Sequence, residues 1–443
     1  MLTHQLEASS SKVEVLPGFE GPLPFQLETG YVGLGETDDD IQVFYYFIKS
    51  ESNPQKDPLM LWLTGGPGCS SFYGLVFQIG PVEFEIKEYN GRVPSLVSRP
   101  QSWTKICSII FVDLPLGSGF SYAKNLTAHR SDWKLVHHTH QFLRKWLIDH
   151  PEFLSNEFYI GADSYSGLVV PPILQEISNG NEKGLQPFIN LQGYLLGNPV
   201  TTKTENNDQI QYAHGMGLIS DGLYASLQKN CKGEYIDVDF RNELCLRDLQ
   251  YFNECLSGIN KFHILDSYCD VDSLLSRRSL TQELKESLSS HLTVPELSCQ
   301  IYGNYLATKW ADDERVRKAL HIREGTIGKW ERCYTTDFEK EIFNSVEFHA
   351  NLSRKGYRSL IYSGDHDLVV PFMSTQAWIR VLNYSIVDDW RPWFVNGQVG
   401  GYTRTYSNGM TFSTVKGSGH TAAQYTPDQC FAMFTNWISK LPL

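Results

Sequence analysis

The chain has 443 residues, of which 41% are hydrophobic and 13% aromatic, a composition typical of packed globular proteins. A chain of this length can bury a large core, as one elaborated domain or as two. Its formal net charge of −12 argues against a polyanionic partner such as nucleic acid, and no uncharged apolar run is long enough to cross a bilayer.

Short apolar runs alternate with segments of helical spacing. Residues 30–35, rich in glycine, predict a turn, and the three aspartates at residues 38–40 predict a second turn. Helical spacing is found at residues 133–147 and 427–441. Strands are predicted at residues 41–48, 59–63, 108–112, 158–161, 358–362 and 410–415. This alternation predicts an α/β fold with a mainly parallel central sheet.

The central part of the chain has a different pattern. Residues 201–311 are polar, cysteine-rich and helical in spacing, without buried strand runs. We therefore expect a helical insertion, or lid, over a core formed by residues 1–200 and 312–443. The dibasic pair Arg277-Arg278 marks a linker within residues 275–298, and the pattern leaves open whether this linker is cleaved or is a plain loop.

A serine stands at the turn after the strand predicted at residues 158–161. The motif Asp163-Ser164-Tyr165-Ser166-Gly167 is followed by an apolar segment that predicts a helix. A sharp strand-to-helix turn of this kind is a nucleophile elbow, which lifts a serine Oγ out of the sheet. Ala162 stands where the G-x-S-x-G pattern has glycine. This stretch alone therefore does not separate a nucleophile from a serine in an ordinary loop.

Two later loops offer the partners that a nucleophilic serine needs. Asp365 and Asp367 follow one predicted strand, and His420 follows the last one. A serine needs a base to become nucleophilic, and an imidazole base needs a carboxylate to hold its tautomer. The chain order Ser, Asp, His is that of α/β-hydrolases. We expect Asp367 to be the acid, because Asp365 is placed to close the turn by accepting backbone N–H groups.

An oxyanion hole follows from the same geometry. One donor is expected to be the backbone N–H of the residue after the nucleophile, Tyr165. The other should come from a glycine-rich loop after an earlier strand. The loop Gly65-Gly66-Pro67-Gly68 has this position, and we expect the donor to be Gly66.

The cysteines and sequons favour an oxidising compartment. Five of the nine cysteines (Cys231, Cys245, Cys255, Cys269 and Cys299) lie close together in the insertion, which is typical of a disulfide framework. No C-x-x-C pair is present, so zinc is disfavoured. The N-x-S/T sequons at Asn125, Asn351 and Asn383 are candidate glycosylation sites. The N-terminus lacks the apolar core of a signal peptide, so the protein is either cytosolic or has had a signal removed. The cysteines and the sequons favour the second alternative, and we expect the secretory pathway with the vacuole as destination.

Histidines near residue 137 raise a second question about metal binding. His137 and His140 share a helical face, but no carboxylate accompanies them on that face. We therefore expect an ordinary solvated helix start and no metal ion.

Four motifs together resemble the serine carboxypeptidase family. They are WLTGGPGCSS at residues 62–71, DSYSG at residues 163–167, SGDHD at residues 363–367 and GSGHTA at residues 417–422. The resemblance runs from residues 16–19 to the final helix. It implies an α/β-hydrolase fold, the triad Ser164, Asp367 and His420, and the oxyanion donors Gly66 and Tyr165. It further implies the disulfides Cys69–Cys333, Cys231–Cys245 and Cys269–Cys299, and leaves Cys107, Cys255 and Cys430 unassigned.

Three positions bear on whether the chain is a peptidase. Peptidase members of the family hold the C-terminal carboxylate of a peptide with an Asn, a Glu and a supporting Glu. The corresponding positions here are Thr64, Asp163 and Gln78, and we include Gly65 among the substrate-binding residues. Threonine has one donor and Asp163 withdraws its carboxyl by one methylene, so we expect poor carboxypeptidase activity.

These replacements resemble the plant serine carboxypeptidase-like acyltransferases. Such enzymes move an acyl group, often hydroxycinnamoyl or galloyl, from a 1-O-β-glucose ester to an acceptor hydroxyl through an acyl-serine. The resemblance therefore implies a small-molecule donor and acceptor and no cofactor. Three features depart from typical members of this group: Ala162, Gln78 and the pair Ala423-Gln424.

Two alternatives remain at the level of sequence. One is hydrolysis, as a carboxypeptidase or an esterase. The other is a non-catalytic companion subunit that stabilises an active paralogue, a role that would tolerate loss of the triad. The intact set Ser164, Asp367 and His420 argues against the companion role.

Overall fold

The protein is described from a computed structural model, which covers residues 9–34, 41–124, 129–267 and 300–443. Its strands are β1 (Ser9–Val13), β2 (Leu27–Leu34), β3 (Ile41–Ile48), β4 (Leu59–Leu63), β5 (Val82–Phe84), β6 (Leu96–Ser98), β7 (Ser108–Val112), β8 (Tyr122–Ala123), β9 (Arg130–Ser131), β10 (Phe158–Asp163), β11 (Leu191–Gly197), β12 (Phe338–Glu339), β13 (Arg358–Gly364), β14 (Ile386–Val395), β15 (Gln398–Tyr406) and β16 (Met410–Val415).

The helices lie between and after these strands. They are α1 (Asp132–Asp149), α2 (Ser166–Glu182), α3 (Gln209–Gly215), α4 (Asp221–Cys231), α5 (Glu243–Cys255), α6 (Gln300–Ala311), α7 (Glu314–Ala319), α8 (Val346–Arg354), α9 (Phe372–Val381), α10 (Ala422–Tyr425) and α11 (Pro427–Ile438). The predicted helices at residues 133–147 and 427–441 are thus confirmed as α1 and α11. None of the helices in the described ranges is both long and apolar enough to cross a bilayer.

One large sheet organises the chain in the order β1-β2-β3-β7-β4-β10-β11-β13-β16-β15-β14. Its central strands, from β7 to β16, run parallel to one another. The strands at both edges pair antiparallel. The predicted mainly parallel α/β sheet is therefore confirmed for the centre of the sheet. Because parallel strands end at the same edge, the loops after β4, β10, β13 and β16 meet at one place.

Two apolar layers cover the faces of this sheet. One layer is formed by α1, α2, α8 and α9, with Ile173 of α2 and Trp146 of α1 fully buried. The other is formed by α6, α7 and α11, with Trp310 and Phe434 buried against the opposite face. Burial on both faces explains why the central strands are almost continuous apolar runs.

The turn predicted at residues 30–35 is wrong over residues 30–34. These residues continue β2, which pairs with β3 along its whole length, with Tyr31 opposite Phe44. Tyr31 and Val32 are 1% and 2% exposed, so burial of their side chains outweighs the low strand propensity of the neighbouring glycines. The aspartate turn at residues 38–40 lies outside the described residues.

Strands β11, β14 and β15 of the large sheet are among the strands that the sequence analysis did not predict. Strand β11 contains glycines that weaken its strand pattern, yet a Cβ at Gly193 would lie 2.2 Å from the carbonyl oxygen of Arg358 in β13. Close approach of the two strands therefore requires glycine there. Strands β14 and β15 form a hairpin whose turn residues Asn396 and Gly397 have φ values of 50° and 75°. An Asn-Gly pair between two strands is a hairpin signal that the sequence did carry.

The described part of the insertion consists of α3, α4 and α5 with their own small core. Leu227 of α4 and Phe252 of α5 pack in this core, which also receives Leu368 from the loop after β13. The disulfide Cys231–Cys245 joins α4 to α5, as predicted. The predicted linker at residues 275–298, the pair Arg277-Arg278 and the proposed disulfide Cys269–Cys299 lie outside the described residues.

The remaining cysteines and the sequons occupy varied positions. The predicted disulfide Cys69–Cys333 is also present. Cys107 and Cys430 are buried free thiols, and Cys255 is exposed. Asn383 is exposed, and Asn351 lies partly buried in α8, where it accepts a hydrogen bond from Arg354. The third sequon, at Asn125, lies outside the described residues.

The packing of α2 on the sheet predicts a large effect of truncation at Ile173. We expect Ile173→Ala to lower the free energy of unfolding by about 2–5 kcal/mol, because a fully buried side chain is lost and a cavity remains. Ile148 on α1 is 62% exposed, so Ile148→Ala should change it by less than about 0.5 kcal/mol. Urea denaturation followed by circular dichroism measures both, and equal losses would contradict this core.

Candidate active site

The loop that carries Ser164 is a tight turn between β10 and α2. Ser164 has φ of 54°, in the left-handed region that residues with a side chain rarely adopt. Its N–H donates to the carbonyl of Gly197 (2.9 Å), and its own carbonyl accepts from the N–H of Val200 (2.9 Å). These bonds to the segment after β11 hold the turn. The geometry is that of a nucleophile elbow.

Small residues around this turn are required by close packing. A Cβ at Gly65 would lie 2.6 Å from the Cβ of Ser164, and a Cβ at Gly167 would lie 2.5 Å from the carbonyl oxygen of Val200. Ala162 lies fully buried within β10, in extended backbone. The departure from G-x-S-x-G at Ala162 therefore leaves the turn intact.

The structure brings Ser164, Asp367 and His420 together. The Oγ of Ser164 lies 2.8 Å from Nε2 of His420, and Nδ1 of His420 lies 2.7 Å from Oδ2 of Asp367. Asp367 is fully buried, and His420 is 4% exposed. A Ser O–H donating to Nε2 and an Nδ1–H donating to the carboxylate form the relay that nucleophilic catalysis requires.

The Asp367 carboxylate has two further donors. The amide Nδ2 of Asn198 donates to Oδ2 (2.8 Å), and the backbone N–H of Val369 donates to Oδ1 (2.7 Å). The side-chain oxygen of Asn198 in turn accepts from the N–H of Gly364 (3.2 Å). The sequence analysis missed Asn198. Its place directly after a strand, at the edge where Ser164 and His420 lie, is the signal that points to it.

Asp365 has a structural role that differs in detail from the expected one. Its Oδ1 accepts from the N–H of Gly417 (2.7 Å), which belongs to the loop after β16 and not to the turn of Asp365 itself. It also contacts Nδ1 of His366 (2.6 Å). Asp365 therefore ties the loop of Asp367 to the loop of His420.

The charge balance of the site favours a basic imidazole. Burial disfavours the charged form of His420, but the charge and hydrogen bond of Asp367, together with the charge of Asp163, outweigh it. The pKa of His420 is therefore raised above its ordinary value. A raised pKa helps the imidazole to hold the proton that it takes from Ser164.

The loop expected to supply the second oxyanion donor lies beside the elbow. A Cβ at Gly65 would come within 2.9 Å of the backbone nitrogen of Tyr165, so the two backbones are adjacent. Gly66 and Gly68 have φ of 121° and 80°, which only glycine adopts readily. None of the hydrogen bonds recorded between described residues uses the N–H of Gly66 or of Tyr165. Both groups are thus available to a ligand.

Three contacts hold this loop in place. The disulfide Cys69–Cys333 links it to the segment at residues 332–334, where the N–H of Tyr334 donates to the carbonyl of Gly68 (2.8 Å). Asp113, at the end of β7, accepts from the Oγ of Ser70 (2.6 Å). Burial raises the pKa of Asp113 to about 7. The sequence analysis gave Asp113 no role, although it too follows a buried strand.

The three positions that correspond to the carboxylate ligands of peptidase members, Thr64, Gln78 and Asp163, are here called the clamp, and Asp163 is hydrogen-bonded within the protein. Oδ1 of Asp163 accepts from the N–H of Gly65 (2.8 Å), and Oδ2 accepts from the amide of Gln78 (2.6 Å). Asp163 is 5% exposed, and its burial raises its pKa despite these two donors. Thr64 lines the adjacent cavity, and its Oγ1 has no hydrogen-bond partner in the described structure.

Above these residues lies a cavity of about 790 Å³. Its floor includes Ser164, Thr64 and Gly66, and its wall includes Arg332, whose guanidinium lies 5.3 Å from the ring centroid of Tyr73. The insertion supplies another wall through residues 253–262. The cavity is large enough for a substrate of drug-like size, and core and insertion both shape it.

Gln424, one of the departures noted in the sequence, is hydrogen-bonded to residues that line this cavity. Its Oε1 accepts from the hydroxyls of Tyr73 (2.7 Å) and Thr421 (2.9 Å). Gln300 of α6 donates to the hydroxyl of Tyr73 (2.5 Å). Ala423, which precedes Gln424, is buried in the apolar core. These contacts join α6 to the helix that follows His420.

One expectation about the histidines on α1 was incomplete. Nδ1 of His137 and Nδ1 of His140 both lie 3.0 Å from the same oxygen of Glu176, which comes from α2. A carboxylate is therefore present, although α1 itself does not provide it. Within the described residues, no group of three or more potential ligands is arranged to hold a metal ion.

The mainly parallel sheet and the elbow between a central strand and a helix define the α/β-hydrolase class. A family model described as "Serine carboxypeptidase" matches residues 17–440. The chain is 55% identical to serine carboxypeptidase-like 19 of Arabidopsis thaliana, over 99% of this chain and 96% of the relative, and 53% identical to serine carboxypeptidase-like 11 of the same plant, over 100% and 97%. The chain belongs to the serine carboxypeptidase family.

A solved structure has the same fold. The prohormone-processing carboxypeptidase Kex1 of Saccharomyces cerevisiae is similar with a TM-score of 0.75 and 20% identity, over 97% of this chain and 95% of that chain. At this identity the similarity concerns the fold alone.

The contact between His420 and Asp367 predicts a specific pH effect. We expect Asp367→Asn to lower kcat for a chromogenic ester by about 10³- to 10⁴-fold, because the imidazole loses its tautomer control. Since Asp367 raises the pKa of His420, its neutralisation should move the acid limb of kcat/KM to lower pH.

The matched control for this prediction is Asp365→Asn. Asp365 stands two residues away and does not contact His420, so the acid limb should stay in place while kcat falls by less than about tenfold. An acid limb that moves only in the Asp365 variant would contradict the assignment. Ser164→Ala should abolish turnover in either background.

Proposed function

We propose that the protein is an acyltransferase that moves an acyl group, of hydroxycinnamoyl or galloyl type, from a 1-O-β-glucose ester to an acceptor hydroxyl. The observation that carries this proposal is the state of Asp163. Both of its oxygens already accept hydrogen bonds, from Gly65 and from Gln78. A second acceptor group, such as the C-terminal carboxylate of a peptide, finds no donor on the side chain of Asp163.

Ser164 acts first as the nucleophile and later as the leaving group. Ser164 Oγ attacks the ester carbonyl carbon as its proton passes to Nε2 of His420, and the oxyanion is stabilised by backbone N–H groups. The ester bond to glucose then breaks, and His420 protonates the leaving sugar oxygen. In the second half, the acceptor hydroxyl gives its proton to His420 and attacks the acyl-enzyme. Ser164 finally regains its proton from His420.

The acylation and deacylation steps conserve atoms and charge without any added reagent. An ester at the anomeric carbon is an activated acyl donor, so the reaction needs neither ATP nor coenzyme A. No cofactor enters this mechanism. The donor and the acceptor are its small-molecule partners, and no contact with nucleic acid or a membrane is involved. The two disulfides and the plant relatives fit a protein of the secretory pathway, and we propose the vacuole as its destination.

Hydrolysis is the second candidate function. In hydrolysis, water would attack the acyl-enzyme in place of the acceptor hydroxyl, with the same catalytic residues. The family includes carboxypeptidases. The short contacts between Ser164, His420 and Asp367 disfavour a non-catalytic companion role, since such a role does not require them.

The experiment supplies purified protein with a hydroxycinnamoyl or galloyl 1-O-β-glucose ester, with and without a panel of hydroxyl acceptors. We expect an acylated acceptor and an equal amount of free glucose, detected by liquid chromatography with mass spectrometry. Free acid as the sole acyl product with every acceptor would contradict the transferase proposal. Ser164→Ala is the control for uncatalysed transfer.

A second prediction reverses the change at the clamp. We expect the combined variant Thr64→Asn, Gln78→Glu and Asp163→Glu to raise kcat/KM for a blocked dipeptide by about tenfold or more, because it restores donors for a peptide carboxylate. Thr335→Asn, on the same cavity wall, is the matched control and should have no such effect. Unchanged dipeptide hydrolysis in a variant that still cleaves a chromogenic ester would contradict our interpretation of Asp163.

A further inference from the structure

A short segment of the insertion is hydrogen-bonded directly to two of the three loops that carry the triad, those of Asp367 and His420. The carbonyl of Lys261 accepts from the N–H of Leu368 (3.0 Å), and the N–H of Ile264 donates to the carbonyl of His366 (3.1 Å), so the segment pairs with the loop of Asp367. The carbonyl of Phe262 accepts from the N–H of His420 itself (2.6 Å). We call residues 261–264 the strap.

The loop of His420 is shaped to receive the strap. A Cβ at Gly419 would lie 2.3 Å from the carbonyl oxygen of Phe262 and 2.6 Å from the Cβ of His263. Glycine before the catalytic histidine is therefore required by the approach of the insertion. The ring of His263 packs edge-on against Tyr425 at 4.5 Å, which anchors the strap from its other side.

Phe262 places an aromatic ring against the imidazole of His420. The two ring centroids are 5.4 Å apart at an angle of 62°, and Phe262 lines the substrate cavity. The side chain is 46% exposed, which is high for a phenylalanine held so firmly by its backbone. The phenyl ring cannot form a hydrogen bond with a water molecule that lies beside the imidazole.

This placement matters at the acyl-enzyme stage. The second nucleophile must give its proton to Nε2 of His420, so both water and the acceptor hydroxyl need a position beside the imidazole. A phenyl ring beside the imidazole favours an organic acceptor, which can cover the ring, over a water molecule, which cannot.

We propose that Phe262 determines how the acyl-enzyme partitions between transfer and hydrolysis, by keeping water from the side of His420 that faces the cavity. The proposal rests on the acyl-enzyme chemistry of the proposed function and adds a residue that selects the second nucleophile. When water attacks, its oxygen bonds to the acyl carbon and its proton passes to His420. The bond from the acyl carbon to Ser164 Oγ then breaks, and His420 gives the proton to that oxygen. The products are the free acid and the free enzyme.

The test uses the p-nitrophenyl ester of a hydroxycinnamic acid, so that it does not depend on the natural donor. The burst of p-nitrophenol gives the acylation rate, and the following steady release gives the rate constant for attack by water without an acceptor. We expect Phe262→Ala to raise this hydrolytic rate constant by about tenfold, the effect of removing one apolar contact from a site, with the acylation rate within about twofold of wild type.

Two further variants sharpen the test. Phe262→Leu keeps an apolar cover and should stay near the wild-type rate. Phe240→Ala removes another exposed phenylalanine of the insertion, 81% exposed and not in contact with His420, and should change neither rate. An unchanged hydrolytic rate in Phe262→Ala overturns the proposal. An equal fall in acylation and deacylation overturns it too, because Phe262 would then only position His420.

The same samples, given a hydroxyl acceptor, separate this inference from the proposed function. Absence of any acylated acceptor with the wild-type protein counts against the transferase, whereas the rate of water attack still decides the role of Phe262. If the wild-type protein does transfer, Phe262→Ala should raise the ratio of free acid to acylated acceptor by about tenfold at a fixed acceptor concentration.

Discussion

The left-handed backbone of Ser164 is the constraint on which the site depends, because a residue with a Cβ does not hold this conformation unaided. Hydrogen bonds to Gly197 and Val200, from the segment after the neighbouring strand β11, supply the restraint. Close packing against Gly65 completes it. The parallel pairing of β4, β10 and β11 thus fixes the nucleophile, and substrate need not order it.

The loops around the elbow are held by contacts between strand ends. Asn198 connects the loop after β11 to Asp367, Asp365 connects the loop after β13 to that after β16, and Asp113 holds the loop after β4. Each of these polar side chains is hydrogen-bonded to a backbone or side-chain group of another loop. Such a network places the base and the expected oxyanion donors in advance of substrate, which is where electrostatic catalysis gains most.

Two features of the site favour the same outcome in our proposal. Gly65 and Gln78 donate hydrogen bonds to the two oxygens of Asp163, which stands at a position that peptidase members of the family are expected to use for the peptide carboxylate. The strap sets the apolar ring of Phe262 beside the imidazole of His420, which must take the proton of the second nucleophile. Neither the hydrogen bonds of Asp163 nor the position of Phe262 alters the triad itself. In our proposal they alter which molecules reach it: the first disfavours peptides as donors, and the second disfavours water as acceptor.

The sequence by itself determined the α/β class, most central strands, and the identity and order of Ser164, Asp367 and His420, because buried strands and their motifs are local patterns. It missed β11, β14 and β15, and it placed a turn where Tyr31 is buried in β2, since burial depends on distant neighbours. Only the tertiary structure decided that Asn198, Asp113, Glu176 and Phe262 lie where they do. Their partners are far away in sequence, and only parallel strand pairing and the folded insertion bring them within hydrogen-bond or ring contact.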